Sequence, residues 1–177
     1  MTKTIAVLRN VTVCTLLLST HMVTIAQINW PAGQLLPSFP APAQTQDLIT
    51  LRESSTRWEG EGPYLSHKTG RLESDGWLCQ TGIDAANDHM IYGPYDASIP
   101  SGPNVAEFRM KIDNNTANND AVVDIDVRNA TTGAILASRT ITRQQFPVAS
   151  TYTSFTLPFN MPAINQSIEL RVYWRGT

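Results

Sequence analysis

The sequence predicts an all-β fold in which about eight antiparallel strands form two sheets packed face to face. Apolar and polar residues alternate in several runs after residue 46, and residues that favour turns separate these runs. No segment in this region has a 3.6-residue hydrophobic period long enough to indicate a helix of useful length. We therefore expect a β-sandwich domain over residues 47–177.

The first 26 residues have the features of an export signal peptide. Lys3 and Arg9 give a basic start without acidic residues, and a mostly apolar run from Val11 to Ala26 follows. Three polar residues interrupt this run, which disfavours the alternative of a retained membrane anchor. Cleavage after Ala26 would give a protein that is secreted or resides in the cell envelope or periplasm, without membrane contact.

The charge balance argues against nucleic acid as a partner. The chain has 13 basic and 15 acidic residues, and loss of Lys3 and Arg9 leaves 11 against 15, a formal charge of −4. Phosphate binding requires clustered positive charge, which this composition lacks. Cys14 lies within the predicted signal peptide, so Cys79 would be left as a single cysteine that forms no intrachain disulfide.

Residues 27–46 are predicted to form an extended linker. They contain four prolines among Gly, Ala, Gln and Ser, a composition that does not sustain a helix and offers few groups to bury. The folded domain is therefore expected to begin near Asp47.

The clearest strand patterns lie in the second half of the chain. Val105–Asp113, Ala121–Asn129 and Ser167–Trp174 each alternate between apolar and charged or polar residues, as strands with one buried face do. The weaker strand candidates are Asp47–Ser54, Gly76–Thr81, Met90–Tyr92, Ile135–Thr142 and Tyr152–Pro158.

Over residues 47–175 the layout of strands and turns is similar to that of a known family. The similarity lies in Leu51–Glu53, Gly70–Trp77, Ile91–Tyr95, Ile99–Gly102, Ala106–Met110, Leu157–Phe159 and Arg171–Trp174. On these segments the chain resembles the jelly-roll carbohydrate-binding modules, which belong to the galactose-binding-domain-like β-sandwiches. The resemblance implies a jelly-roll topology, a polysaccharide or glycan ligand and a structural calcium ion with Glu53 as one ligand.

The resemblance also implies a last strand that carries a calcium-binding Asp, and the sequence has no such strand after Trp174. This departure puts the calcium site in question. It also predicts an open sheet edge, to which a protein partner could add a strand.

Candidate ligand-binding residues are concentrated in the loop-rich segment from Trp58 to His89. Sugars bind to flat aromatic faces together with polar side chains, and loops on a rigid sandwich commonly carry binding groups. Trp58 and Tyr64 are the predicted stacking platforms, although Trp58 could equally be a packing residue, and Trp77 fits packing better than binding. The predicted ligand-binding set is Trp58, Tyr64, Arg71, Trp77, Asp88 and His89.

Two further polar features have competing interpretations. Charged residues on the polar faces of the strands could line a saccharide-binding surface, but they could also simply solubilise the sheet. These residues are Glu107, Arg109, Asp124, Asp126, Glu169 and Arg171. The loop 113–120 is rich in oxygen ligands but does not fit an EF-hand, so an Asn-rich hairpin is the simpler interpretation.

The sequence therefore predicts a secreted, non-catalytic carbohydrate-binding domain. One alternative is a structural or adhesion sandwich that contacts proteins in the cell envelope. The second is a glycan-active enzyme, for which Asp124 and Asp126 would stand about 7 Å apart on one strand face. Catalytic motifs of the Gly-x-Ser-x-Gly, His-Glu-x-x-His and Cys-x-x-Cys types are absent from the sequence.

Overall fold

A computed structural model of the chain describes residues 5–16 and 53–177, with the backbone alone described at 5–16, 53 and 54. The described residues belong to one compact unit, and their regular secondary structure is strand apart from a single 3₁₀ turn, η1, at Arg143–Gln145. No helix in these ranges has the length and apolar character needed to cross a membrane. The predicted all-β fold is confirmed.

The strands in the described ranges are numbered β1 to β11 in chain order. They are β1 Ile5–Leu16, β2 Glu53–Glu59, β3 Arg71–Glu73, β4 Gly76–Gln80, β5 Asp88–Ile91, β6 Pro94–Asp96, β7 Gly102–Ile112, β8 Ala121–Asn129, β9 Ile135–Thr142, β10 Thr153–Met161 and β11 Ile168–Trp174.

The strands form two sheets in which every pairing is antiparallel. The six-stranded sheet has the order β10-β7-β1-β4-β3, and β2 pairs with β1 beside this path. The five-stranded sheet has the order β5-β11-β8-β9, and β6 pairs with β11. Strands that follow one another in the sequence are often not neighbours in a sheet, so strand pairing joins distant parts of the chain.

A single apolar core draws on both sheets, which is the arrangement of a β-sandwich. Alternate residues of β7 and β10 supply it from the six-stranded sheet, and alternate residues of β8 and β11 supply it from the five-stranded sheet. Each fully buried apolar side chain contributes about 1.5–3 kcal/mol through its removal from water. The main contributors are Phe108, Met110, Ile112, Phe155, Phe159, Ile125, Val127, Leu170, Val172 and Trp174.

The strands predicted from alternation are present, with shifts of a few residues at their ends. β8 and β9 have the predicted bounds, and β7 begins three residues earlier than predicted, at Gly102. The short strands β3 and β6 were not predicted, because three residues are too few to display an alternating pattern. Trp58, which was placed in a loop-rich segment, lies in β2.

The N-terminal strand β1 falls within residues 1–26, the predicted signal peptide. β1 pairs with β7 along most of its length, with β4 through Ile5–Leu8 and with β2 through Asn10–Leu16. Cleavage after Ala26 stays a prediction. The predicted linker at 27–46 lies outside the described residues, as does the first part of the predicted strand Asp47–Ser54.

The Asn-rich loop between β7 and β8 is held by a buried guanidinium. Arg143 is 2% exposed, and its Nε donates to Oδ1 of Asn118 at 2.7 Å while its Nη1 donates to the carbonyl oxygen of Asn114 at 2.8 Å. The backbone N–H of Arg143 also donates to the carbonyl oxygen of Asp120 at 3.0 Å. Oxygens that could have suggested calcium ligation therefore accept hydrogen bonds from an arginine of the same chain.

Asn129 closes β8 and organises the turn that follows it. Its side chain is fully buried, and its Oδ1 accepts the backbone N–H groups of Thr131 at 3.0 Å and Thr132 at 3.1 Å. Its Nδ2 donates to Oε1 of Gln166 at 2.7 Å. Both ends of the amide are thus used in holding the β8–β9 turn against the start of β11.

Candidate ligand-binding site

The outer face of the five-stranded sheet carries an open pocket of about 170 Å³. Strand β11 buries Ile168, Leu170, Val172 and Trp174 in the core, so the intervening residues face outward into this region. The loop before β3 and the strands β5, β6 and β11 supply the walls. The lining residues are Lys68, His89, Tyr92, Tyr95, Glu169 and Arg171.

Two arginine–carboxylate pairs form the polar floor of this face. The register between β8 and β11 places Asp126 opposite Arg171 and Arg128 opposite Glu169. Arg171 binds Asp126 with two parallel hydrogen bonds, from Nε to Oδ1 at 2.8 Å and from Nη2 to Oδ2 at 3.0 Å. Bidentate geometry fixes the guanidinium plane, so the floor has a defined shape.

Glu169 is the most buried charged group of the pocket, with 4% of its surface exposed. Burial by itself raises the pKa of this carboxyl, but hydrogen bonds from Arg128 and Tyr95 and the charges of Arg128 and Arg171 outweigh it, so the pKa lies below its ordinary value. The hydrogen bond to Glu169 and the negative charge of Glu169 raise the pKa of Arg128. Both groups therefore stay ionised near neutral pH.

Tyr95 lies in β6, lines the pocket and is 49% exposed. It follows a cis Gly93–Pro94 peptide bond and has a φ of 64°, a left-handed conformation that is rare for a bulky residue. Its hydroxyl is hydrogen-bonded to Glu169, and burial together with this bond and the Glu169 charge raises its pKa to about 12. A left-handed φ at a bulky residue costs about 1–3 kcal/mol, and residues with such a φ are concentrated at functional sites.

A second aromatic group lies on the β5 side of the pocket. His89 contacts Tyr173 edge to face with ring centroids 5.3 Å apart, and its ring centroid lies 6.1 Å from that of Tyr92. Burial is the largest cause that lowers the pKa of His89, and the positive charge of Arg171 lowers it further. His89 is therefore neutral at pH 7 and can both donate and accept a hydrogen bond.

The loop that carries Tyr64 is attached to the strand end beside the pocket. Ser66 and Tyr92 exchange backbone hydrogen bonds of 2.8 and 2.9 Å, and the N–H of Lys68 donates to the carbonyl oxygen of His89 at 3.0 Å. Gly93, with a φ of 126°, lets this loop approach, since a Cβ there would lie 2.9 Å from the carbonyl oxygen of Tyr64. Tyr64 itself is 71% exposed, which suits a stacking platform.

The other residues that were predicted to bind ligand do not line this pocket. Trp58 is 8% exposed and belongs to the core cluster, so its ring is used in packing. Asp88 is half-exposed and accepts the backbone N–H of His89 at 2.8 Å. Of the six residues predicted to bind ligand, only His89 lines the pocket.

Trp77 and Arg71 are engaged in local contacts. The Trp77 ring is stacked on His67 with centroids 3.5 Å apart, and its Nε1 donates to the carbonyl oxygen of Thr69 at 2.8 Å. Arg71 forms an ion pair with Asp84 and donates from Nη2 to Oε1 of Gln80 at 2.7 Å. These contacts match the packing interpretation of Trp77, and they make Arg71 a residue that holds the loop after β4.

The predicted calcium site cannot be assembled from the described side chains. Glu53 begins β2, and its side chain lies outside the described part of the chain. Among the side chains that are described, no group of three or more His, Cys, Asp or Glu residues could hold a metal ion. The calcium ion stays an implication of the resemblance.

Sequence reasoning did not single out Tyr92 and Tyr95 as ligand-binding residues. The signal was present in Tyr92-Gly93-Pro94-Tyr95, where two aromatic residues flank a turn dipeptide. Their convergence with Glu169 and Arg171 depends on the pairing of β5 and β6 with β11, which joins residues 72 to 86 positions apart in the sequence. No local pattern encodes that pairing.

Comparison of the chain with protein-family models, with curated protein sequences and with solved structures finds no match.

Proposed function

We propose that this domain binds a glycan, without catalysing a reaction on it, in the pocket on the outer face of the five-stranded sheet. The observation that carries the proposal is the half-exposed ring of Tyr95, held over a floor of ordered arginine and carboxylate groups. A sugar ring offers an apolar C–H face and a rim of hydroxyls. The C–H face would stack on the Tyr95 ring while the hydroxyls bind to the polar floor.

The hydrogen-bonding groups of the pocket suit hydroxyl ligands. Arg171 and Lys68 donate only, Glu169 accepts only, and neutral His89 does either, so the set can satisfy hydroxyls in both directions. The bidentate ion pair holds Arg171 in place before a ligand arrives, which lowers the entropy lost on binding.

The charge of the pocket supports a neutral or weakly anionic sugar over a phosphate polymer. Glu169 is neutralised by Arg128, and Arg171 is neutralised by Asp126. With His89 uncharged, Lys68 is the remaining formal charge among the lining residues. Phosphate binding draws its free energy from several such charges, so nucleic acid is not the proposed ligand.

The carboxylates favour binding over the enzymatic alternative. Asp126 forms an ion pair with Arg171, and Asp124 with Arg175 at 2.5 Å. A glycosidase needs one carboxyl whose raised pKa keeps it protonated, and the pKa of Glu169 in the pocket is lowered instead. The adhesion alternative, export and a jelly-roll topology remain predictions from the sequence.

A glycan array followed by polysaccharide pull-down with the full chain tests the proposal. We expect Tyr95→Ala to weaken binding by about tenfold or more, because central aromatic contacts dominate such interfaces. Val148→Ala is the matched control, since Val148 is also exposed but does not line the pocket. It should bind as the wild type does.

The variant Tyr64→Ala tests whether the ligand binds in the pocket or on the adjacent loop. Loss of binding in Tyr64→Ala with retention in Tyr95→Ala would move the site to the loop and refute the pocket proposal. Absence of binding to every glycan, with and without calcium, would refute glycan binding altogether. Folding of each variant is checked by circular dichroism, so that an unfolded variant is not read as a binding defect.

A further inference from the structure

Strand β1 lies in the interior of the six-stranded sheet, with other strands on both of its sides. Its pairing leaves no edge of this strand open: β7 lies along one side, and β4 and β2 share the other. All three neighbours run antiparallel to it. Without β1, the facing backbone groups of these strands would have no ladder partner, and a slot one strand wide would divide the sheet.

The neighbouring strands determine which kind of peptide could occupy the slot. In an antiparallel pair, residues directly opposite each other point to the same face of the sheet, so the occupant must be apolar opposite the buried residues of β7. The residues of this chain at those register positions are Ala6, Leu8, Val11 and Val13, opposite Ile112, Met110, Phe108 and Ala106 respectively. A register shift between Leu8 and Asn10 moves the positions opposite the buried residues of β7 from even-numbered to odd-numbered residues of β1.

We propose that this slot is a strand-acceptor surface that binds an extended peptide segment from another protein chain once residues 1–26 have been removed. The occupant runs antiparallel to β7, is about ten to twelve residues long and has an apolar residue at alternate positions. The proposal rests on the predicted cleavage after Ala26 and is independent of glycan binding, because the slot and the pocket lie in different sheets.

The test uses the full chain with a protease recognition sequence placed in the predicted linker, residues 27–46. The protein is folded first and cleaved afterwards, and the probe is a fluorescent synthetic peptide of residues 4–17. We expect the probe to displace the cleaved segment and to bind one per domain. Hydrogen exchange at the amides of β7 should be fast in the cleaved domain freed of its segment and slow again with the probe bound.

The matched control is the same peptide with Val11→Pro. Val11 stands between Phe108 of β7 and Trp58 of β2, so proline removes a ladder hydrogen bond on one side, and binding should fall at least about tenfold. Equal binding of both peptides would overturn the proposal, as would a cleaved domain that loses its segment yet keeps the melting temperature of the uncut chain and binds no peptide. N-terminal sequencing that finds residues 5–16 in the mature exported protein would also overturn it.

Discussion

Two ion pairs, one on the outer face of each sheet, differ in how firmly they are held, although alternation of polar and apolar residues builds both faces. On the five-stranded sheet, Arg171 and Asp126 form a bidentate pair with side chains only 20% and 15% exposed. On the six-stranded sheet, the pair of Arg57 and Glu59 lies within one strand and is 50% and 45% exposed.

This difference separates an ion pair on the open surface from one that orders its donors and acceptors. A single contact between two exposed side chains orders little, because each keeps much of its freedom and is screened by water. Cross-strand pairs beside half-buried aromatic rings hold donors and acceptors in fixed positions. The pair of Arg171 and Asp126 is therefore the one whose geometry matters for the proposed pocket.

The largest expected effect is on the free energy of unfolding, and it tests whether the two sheets share one core. Phe108→Ala, at a fully buried position of β7, should lower the free energy of unfolding by about 3–5 kcal/mol through the cavity it leaves. Urea unfolding followed by tryptophan fluorescence and by circular dichroism should show a single shared transition. Thr156→Ala, at an exposed position of β10, should change stability by less than about 0.5 kcal/mol. Two separate transitions in the wild type would mean that the sheets do not share a core.

The next largest loss of stability is expected from a substitution in the turn between β9 and β10, which belong to different sheets. Arg143→Met removes the guanidinium that holds the Asn-rich loop, and we expect a loss of about 2 kcal/mol. Arg139→Met is the control, because Arg139 is exposed on β9. Chemical denaturation measures both. Similar values for the two variants would show that the buried contacts of Arg143 do not stabilise the fold.

Double-mutant cycles measure the contrast between the two ion pairs directly. The coupling free energy of Arg171 with Asp126 should reach about 1 kcal/mol, since the pair is bidentate and partly buried. That of Arg57 with Glu59 should stay below about 0.5 kcal/mol. Raising the salt concentration should reduce the second more than the first. Equal couplings would remove the distinction between the two pairs.

The smallest effect is a change in the titration of one tyrosine. Because the pKa of Tyr95 is raised from 10.0 to about 12, its contribution to stability is complete below pH 10 and is lost as the pH rises towards 12. In Glu169→Gln the negative charge is gone, so the Tyr95 pKa should move down towards its ordinary value. Ultraviolet titration of each protein against its Tyr95→Phe counterpart isolates this group. An unchanged midpoint in Glu169→Gln would show that the carboxylate does not act on Tyr95.

Local pattern was sufficient to predict the longer strands after residue 70 but not which distant residues come together. The alternation in β8, confirmed to its ends at Ala121 and Asn129, is a property of nine consecutive residues. The approach of Tyr95 to Glu169 depends on which strands are neighbours, and no short window contains that information. Strand β1, Ile5–Leu16, overlaps the predicted signal peptide, and composition alone could not separate an export signal from a strand.

The burial of Asn129 affects how the protein can be produced. Asn129-Ala130-Thr131 is an acceptor triplet for N-linked oligosaccharide, which is transferred to the emerging polypeptide in the endoplasmic reticulum. An oligosaccharide on this amide would replace the hydrogen bond to Gln166 with a bulky group where the side chain has no access to solvent. Yeast or mammalian secretion should therefore yield misfolded material unless the triplet is removed by Thr131→Ala, whereas production in bacteria avoids the modification.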